Sequence, residues 1–265
     1  MKEDMMRPRA LVTGAAQRLG RAMALSLAAR GYDVAVHYAG SEDAARQVVA
    51  EIQAMGRDAT ALQADVLEEE EATSLFASAR RALGGDITCL VNNASIFEHD
   101  SIFNASRESW DRHIGSNLRA PFLLTQAMAQ QDLPAMQDQE KEPLASGLII
   151  NMIDQRVRKL TPEFMTYTLA KMGLWALTQT TAQALAPAIR VNAIGPGPTL
   201  QGHRQSAEHF ADQRRNTVLK RGADPGDITA ALGYFLDAKA VTGQLICVDG
   251  GQHLSWQTPD VLGVE

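Results

Sequence analysis

The chain predicts an α/β fold, a doubly wound parallel sheet with helices on both faces, formed as a single domain. Strand-like and helix-like segments alternate from one end of the chain to the other, the pattern of a parallel sheet whose crossovers are helices. Glycine and proline close the helical segments where a helix would have to stop. No shift in composition divides the 265 residues, and a chain of that length can bury most of its apolar surface around one sheet.

The elements follow in order. RALVTG (9–14) is a strand, and LGRAMALSLAARG (19–31) is a helix closed by Gly31. DVAVHY (33–38) is the second strand. SEDAARQVVAEIQAMG (41–56) is a helix that starts on a Ser41 cap and stops on Gly56. The strand DATALQADV (58–66), the helix EEEEATSLFASARRALG (68–84) and the strand ITCLVNN (87–93) complete the first half. A helical region covers 109–130, and a polar stretch with two prolines (131–147) reads as a solvated surface loop. GLIINMID (147–154) is a buried strand ending on a carboxylate, followed by a long helix over 162–186 that Pro187 stops. AIRVNAIGPGP (188–198) is a strand running into a rigid loop. Residues 199–219 are polar with weak periodicity and read as a substrate loop or an ordinary one. DPGDITAALGYFLDAKA (224–240) is a capped helix, and GQLICVDGG (243–251) holds the last strand.

Composition narrows the function. With 45% hydrophobic and 21% charged residues the chain is an ordinary globule, and its net charge of −6 argues against nucleic acid or an anionic membrane as partner. Small molecules remain. No stretch has the form of a signal peptide or a bilayer-spanning helix, so a cytoplasmic location is expected. Cys89 and Cys247 lie in strand-like runs without metal-ligand spacing and read as buried, reduced thiols; none of the six histidines has such spacing either, so no metal is expected.

The first strand-to-helix turn reads TGAAQRLGRA (13–22). Glycine there lets the chain turn sharply and brings backbone N–H groups against a pyrophosphate at the positive end of the helix, a role that Gly14 and Gly20 fit. The middle glycine of the dinucleotide fingerprint is absent, and Arg18 stands near its place. A nicotinamide cofactor with a free 2′-hydroxyl is met by an acid at the tip of the second strand. That tip carries none: Tyr38 and Ser41 lie there and Arg18 adds positive charge, which favours NADPH over NADH.

Together these motifs make the chain resemble the short-chain dehydrogenase/reductase family from about residue 9 to residue 251. TGAAQRLG is similar to its glycine-rich turn, NNA (92–94) to the motif after its fourth strand, Asn117 to its helix asparagine, YTLAK (167–171) to its Tyr-x-x-x-Lys motif and IGPGP to its nicotinamide-side loop. Tyr167 and Lys171 stand one helical turn apart on the same face. An ammonium beside a phenol favours the phenolate, so Lys171 is expected to lower the pKa of Tyr167 and ready it for proton transfer. The resemblance implies a Rossmann-type domain spanning 1–265. It implies catalysis by Asp154, Tyr167, Lys171 and Asn117, the last anchoring a water. It implies cofactor contacts from Gly14, Arg18, Leu19, Gly20, Tyr38, Ser41, Asp65, Val66, Asn93, Ala94, Ser95, Tyr167, Lys171, Pro196 and Gly197. It also implies a homotetramer built on the helices of Asn117 and Tyr167 and on the last strand.

Asp154 occupies the place where most of the family carries a serine. By itself an aspartate there reads as a helix cap or turn residue. The pteridine reductases, a subset of the family, also place Asp before Tyr-x-x-x-Lys, and they share the Arg18-Leu19-Gly20 ending of the turn and an aromatic at Phe97. The resemblance then implies a pterin or related heterocycle held by Arg18, Ser95, Phe97, Asp154 and Tyr167, its flat ring stacked on Phe97. Core packing is the alternative for Phe97. The basic run of Arg156, Arg158 and Lys159 either meets an anionic substrate or faces water. The rival functions are a carbonyl or 3-oxoacyl reductase of the same family and a nucleotide-binding sensor without catalysis.

Overall fold

The computed structural model describes residues 7–202 and 205–256; the outer ends of the predicted 1–265 domain, and His203 and Arg204 within 199–219, lie outside them. Its centre is a seven-stranded parallel sheet in the order β3-β2-β1-β4-β7-β8-β9. The first half contributes β1 (Arg9–Val12), α1 (Arg18–Ala29), β2 (Asp33–Tyr38), α2 (Glu42–Ala54), β3 (Ala59–Gln63), α3 (Glu69–Ala82) and β4 (Cys89–Asn92). The second contributes α4 (Arg107–Ile114), a π-helical turn (Gly115–Arg119), α5 (Ala120–Ala129), the small antiparallel pair β5 (Met136–Gln137) and β6 (Pro143–Leu144), and β7 (Gly147–Met152). A 3-10 turn (Gln155–Arg158), α6 (Met165–Ala184), β8 (Ile189–Pro196), α7 (Ala207–Arg215), α8 (Pro225–Asp237) and β9 (Leu245–Val248) follow.

The pleat divides the core. Ala10 and Val12 of β1 and Ile150 of β7 pack against α1, α2 and α8, where Met23, Leu27, Val48 and Phe235 are buried. Leu11 and Ile149, one residue away and so on the opposite face, pack against Leu75 and Phe76 of α3 and Leu124 and Met128 of α5. In α3 the buried set Ala72, Leu75, Phe76 and Ala79 follows the i, i+3, i+4, i+7 spacing of one helical face. Each large apolar side chain buried this way contributes about 1.5–3 kcal/mol.

Four details differ from the sequence reading. Residues 199–219 contain α7, a short helix with no buried residue, capped by the Ser206 hydroxyl accepting from His209 N at 3.1 Å. The surface stretch 131–147 folds back on itself as β5 and β6. Ser41 occupies the N-cap position of α2, but its side chain makes no capping bond. The long helix begins at Met165 rather than near Pro162, because Asp100, far away in sequence, takes the amides that would continue it. Cys89 is buried and Cys247 half-buried, both as free thiols; burial pushes them up to about 12 and about 11, so neither is a thiolate near neutrality.

Candidate active site

Strand order reverses between β1 and β4, and the crevice outside their carboxyl ends is where α/β sheets of this kind bind ligands. Gly14 turns there with φ +60°. A Cβ on Gly20 would lie 2.1 Å from the Gly14 carbonyl oxygen, so only glycine lets α1 start this close to the strand. Arg18 has φ +54°, so a side chain occupies the left-handed position where the fingerprint would put glycine, at a cost of about 1–2 kcal/mol. Its guanidinium donates to the carbonyls of Gln201 and Leu200 at 2.9 and 3.1 Å and roofs the crevice.

Two residues that sequence reasoning left unassigned hold this turn. The Thr13 hydroxyl accepts from Asn93 N at 2.8 Å and Ala94 N at 2.9 Å, while Asn93 Nδ2 donates to the carbonyls of Thr13 and Gly14. His37 Nδ1 accepts from Gly14 N at 3.0 Å, which puts the ring proton on Nε2, facing the Ala64 carbonyl. Burial lowers the His37 pKa and keeps the neutral ring this bond needs. The sequence signal was a histidine inside an otherwise apolar strand.

The crevice opens into a cavity of about 430 Å³ whose lining includes Gly14, Arg18, Leu19, Gly20, Tyr38, Ser41, Asn93, Ala94, Ser95 and Gly197. Three predicted cofactor residues are not in that lining: Pro196 ends β8, Val66 lies beyond β3, and Asp65 accepts from Leu67 N through Oδ1 while its own N–H donates to Glu71 Oε2. Two more, Tyr167 and Lys171, lie outside it on α6, beside Asp154 and Met152.

Asp154 caps a turn and also touches the phenol. Its Oδ1 accepts from Arg156 N at 2.8 Å, capping the 3-10 turn, and its Oδ2 accepts from the Tyr167 hydroxyl at 3.1 Å. One carboxylate thus ends β7, starts the turn and reaches the phenol. Lys171, one turn along α6, donates from Nζ to the Met152 carbonyl at 2.8 Å and sits 5.6 Å from the Tyr167 ring centre. Asn117 lies on the π-helical turn, fully buried; its Oδ1 accepts from the Ser95 hydroxyl at 2.6 Å and its Nδ2 donates to the Ile96 carbonyl at 2.9 Å. The bond from Ser95 ties the cavity edge to this turn.

The electrostatics reverse one expectation. Tyr167 is held well above the usual tyrosine value, first by burial and then by the Asp154 carboxylate, which outweigh the opposing Arg156 charge and Ser95 hydrogen bond. Burial also raises Asp154, against the opposing effects of the Arg156 N–H and charge, Tyr167 and Lys171. Lys171 itself falls to about 8 through burial, partly offset by Asp154. The phenol therefore keeps its proton in the resting protein. Because Lys171 loses its charge as pH rises through about 8, kcat/KM for the cofactor, which reports the free enzyme, should fall with an alkaline limb near that value. A Lys171→Arg variant should lack that limb, since arginine stays charged; the limb persisting there would assign it elsewhere.

Phe97 is neither core nor alone. It is 47% exposed, its ring stacks on Phe164 at 4.3 Å and 9°, and Tyr167 meets it edge-on at 4.7 Å. Arg156 lies over the far ring at 5.0 Å, so an arginine and two phenylalanines form a column beside the phenol. Of the basic run, Arg156 faces the site, Arg158 lies over Trp175, and Lys159 is exposed. No cluster among the described residues could hold a metal ion, and no helix among them is long and apolar enough to cross a membrane.

A family model described as enoyl-(acyl carrier protein) reductase matches residues 14–253, every strand of the sheet but β1 and the site from Gly14 onward. The chain belongs to the short-chain dehydrogenase/reductase family. It is 35% identical over 254 residues to the 3-oxoacyl-[acyl-carrier-protein] reductase FabG of Staphylococcus epidermidis, covering 94% of this chain and 100% of that one. Among solved structures it is similar to FolM, alternative dihydrofolate reductase 1 of Brucella suis, in complex with NADP. That match has TM-score 0.88 and 42% identity, covering 96% of this chain and 98% of that one. It is also similar to the angucycline C-6 ketoreductase LanV with bound NADP, with TM-score 0.84 and 30% identity over 94% and 96% of the chains. Within this short-chain dehydrogenase/reductase, Gly14, Gly20, Asn117, Tyr167 and Lys171 all lie on the matched segment, so the crevice and the α6 side chains belong to one family domain.

Proposed function

We propose that this oxidoreductase is an NADPH-dependent reductase of a dihydropterin-type heterocycle, including dihydrofolate. The observation that carries the reading is the Asp154 carboxyl at 3.1 Å from the Tyr167 hydroxyl, where a ketone reductase would present a neutral hydroxyl. The similarity to an alternative dihydrofolate reductase at 42% identity supports it.

The crevice fits a nicotinamide dinucleotide. Glycines at 14 and 20 bring the start of α1 close to β1, leaving its free N–H groups toward a pyrophosphate. No acid stands at residues 38–41; just beyond, Glu42 is paired with Arg46 at 2.6 Å and Asp43 is exposed to solvent, which weakens their opposition to a 2′-phosphate. The cofactor, once bound, would supply hydride to a ring carbon of the substrate. Tyr167 then gives its proton to the adjacent ring nitrogen, and the phenolate that results is stabilised by the Lys171 ammonium. Asp154, whose proton affinity burial raises and which accepts from the Tyr167 hydroxyl at rest, lies within reach to take up a proton from solvent and pass it to the phenolate. The exposed face of Phe97 offers a flat ring stacking worth roughly 1 kcal/mol. Ser95 and Arg18, at the edge of the cavity, are assigned to the polar rim of the same ring.

A second reading, reduction of a ketone or 3-oxoacyl thioester, is favoured by the 35% identity to FabG and by the likeness to LanV. A sensor without catalysis has less support, because a scaffold has no use for a phenol, a carboxyl and an ammonium within one relay. We also assign the chain to a homotetramer. The face formed by Ile114, Leu118, Phe122, Gly173, Ala176 and Leu177 is apolar and open, and sedimentation equilibrium finding a monomer would refute the assignment. The function is tested by NADPH oxidation with 7,8-dihydrobiopterin, dihydrofolate and an acetoacetyl thioester in parallel. Turnover of the pterins above the thioester is expected; turnover of the thioester alone would replace the proposal with the second reading.

A further inference from the structure

The helix that carries Tyr167 and Lys171 is capped from a distance. Phe164, at its N-cap position, has φ 57° and ψ 50° and provides no side-chain cap. Asp100, 2% exposed, does that work. Its carbonyl accepts from Phe164 N at 2.7 Å and Met165 N at 3.3 Å, and its Oδ1 accepts from Thr166 N at 3.1 Å. Its Oδ2 accepts from the hydroxyls of Thr166 and, at 3.1 Å, Ser109. Three of the amides that open α6 are thus satisfied by one residue, with a carboxylate at the positive end of the helix.

Behind Asp100 the network continues. His113 is fully buried, and its Nε2 accepts from Glu98 N at 3.1 Å. The ring proton is therefore on Nδ1, which donates to Thr166 Oγ1 at 2.6 Å, while the Thr166 hydroxyl donates onward to Asp100. Burial lowers the His113 pKa and so favours the neutral ring. Burial pushes Asp100 up, but the Thr166 and Ser109 hydrogen bonds outweigh it and hold the carboxyl below its ordinary range. The His113 ring stands edge-on to Tyr167 at 5.9 Å, and Asp100 lies three residues beyond Phe97, whose ring stacks on Phe164.

We propose that Asp100, Thr166 and His113 are positioning residues that hold the first turn of α6, and with it the Tyr167 hydroxyl, in register with Asp154 and the Phe97 wall. Tyr167 follows Thr166 directly, so fraying of this turn moves the phenol before it moves the sheet. A misplacement of about 1 Å at a reacting group costs on the order of 10²-fold in rate. The inference rests on Tyr167 as proton donor and is the same for a pterin or a ketone substrate.

The test compares Thr166→Val, which removes the hydroxyl at nearly constant shape, with Thr166→Ser, which restores it. Turnover is read with whichever substrate the parallel assay identifies. Thr166→Val should lose about 10- to 100-fold in kcat while NADPH affinity stays within about threefold, and Thr166→Ser should recover to within about threefold of the parent. Hydrogen exchange of the peptide spanning 162–170 should accelerate in Thr166→Val, with the sheet strands unchanged. That readout needs no substrate, so failure of the substrate assignment does not obscure it. Wild-type kcat in Thr166→Val, no recovery in Thr166→Ser, NADPH affinity falling in step with turnover, or unchanged exchange would each overturn the proposal.

Discussion

Tyr167→Phe is expected to lower kcat by about 10²–10⁴-fold, the range for losing a positioned general acid, while NADPH binds within about threefold of its parent affinity. The ring is retained, so its edge contact with Phe97 and its packing against His113 survive. The loss is confined to the hydroxyl that donates to Asp154. Asp154 keeps its second bond, from Arg156 N, so the turn stays formed. Stopped-flow hydride transfer and a separate fluorescence titration of NADPH distinguish the two effects. A variant retaining more than about a tenth of the parent rate would remove Tyr167 from the proton path.

Asp154→Ser separates the two substrate readings. Serine is also a good cap, so its hydroxyl can accept from Arg156 N and the 3-10 turn should persist. What disappears is a carboxyl able to exchange a proton with Tyr167. Dihydropterin turnover should fall by about 10²-fold or more, whereas reduction of a ketone should hold or rise, because the new hydroxyl can hydrogen-bond a carbonyl oxygen without its negative charge. Pterin turnover that survives the substitution would sink the assigned role of Asp154.

Much of this molecule was legible before folding. The strands and most helices were readable because parallel strands buried on both faces appear as apolar runs, as in β7, and because a core-facing helix repeats its apolar residues at three and four, as in α3. The helix α7 was not readable, since none of its residues is buried and no stripe marks it. The start of α6 was placed three residues early. Local sequence permits a helix from Pro162, and it is Asp100, distant in the chain, that takes the amides at 164 to 166.

The sequence by itself determined what depends on local spacing: the glycine turn, the one-turn separation of Tyr167 and Lys171, and a carboxylate at the end of β7. Tertiary structure decided what depends on contacts between distant segments. Thr13 meets Asn93 across 80 residues, and Asp100 meets Thr166 across 66. It also decided which group keeps its proton. Spacing predicts that an ammonium beside a phenol lowers its pKa, but desolvation is a property of the folded site alone; it raises Tyr167, lowers Lys171 and leaves the phenol holding its proton.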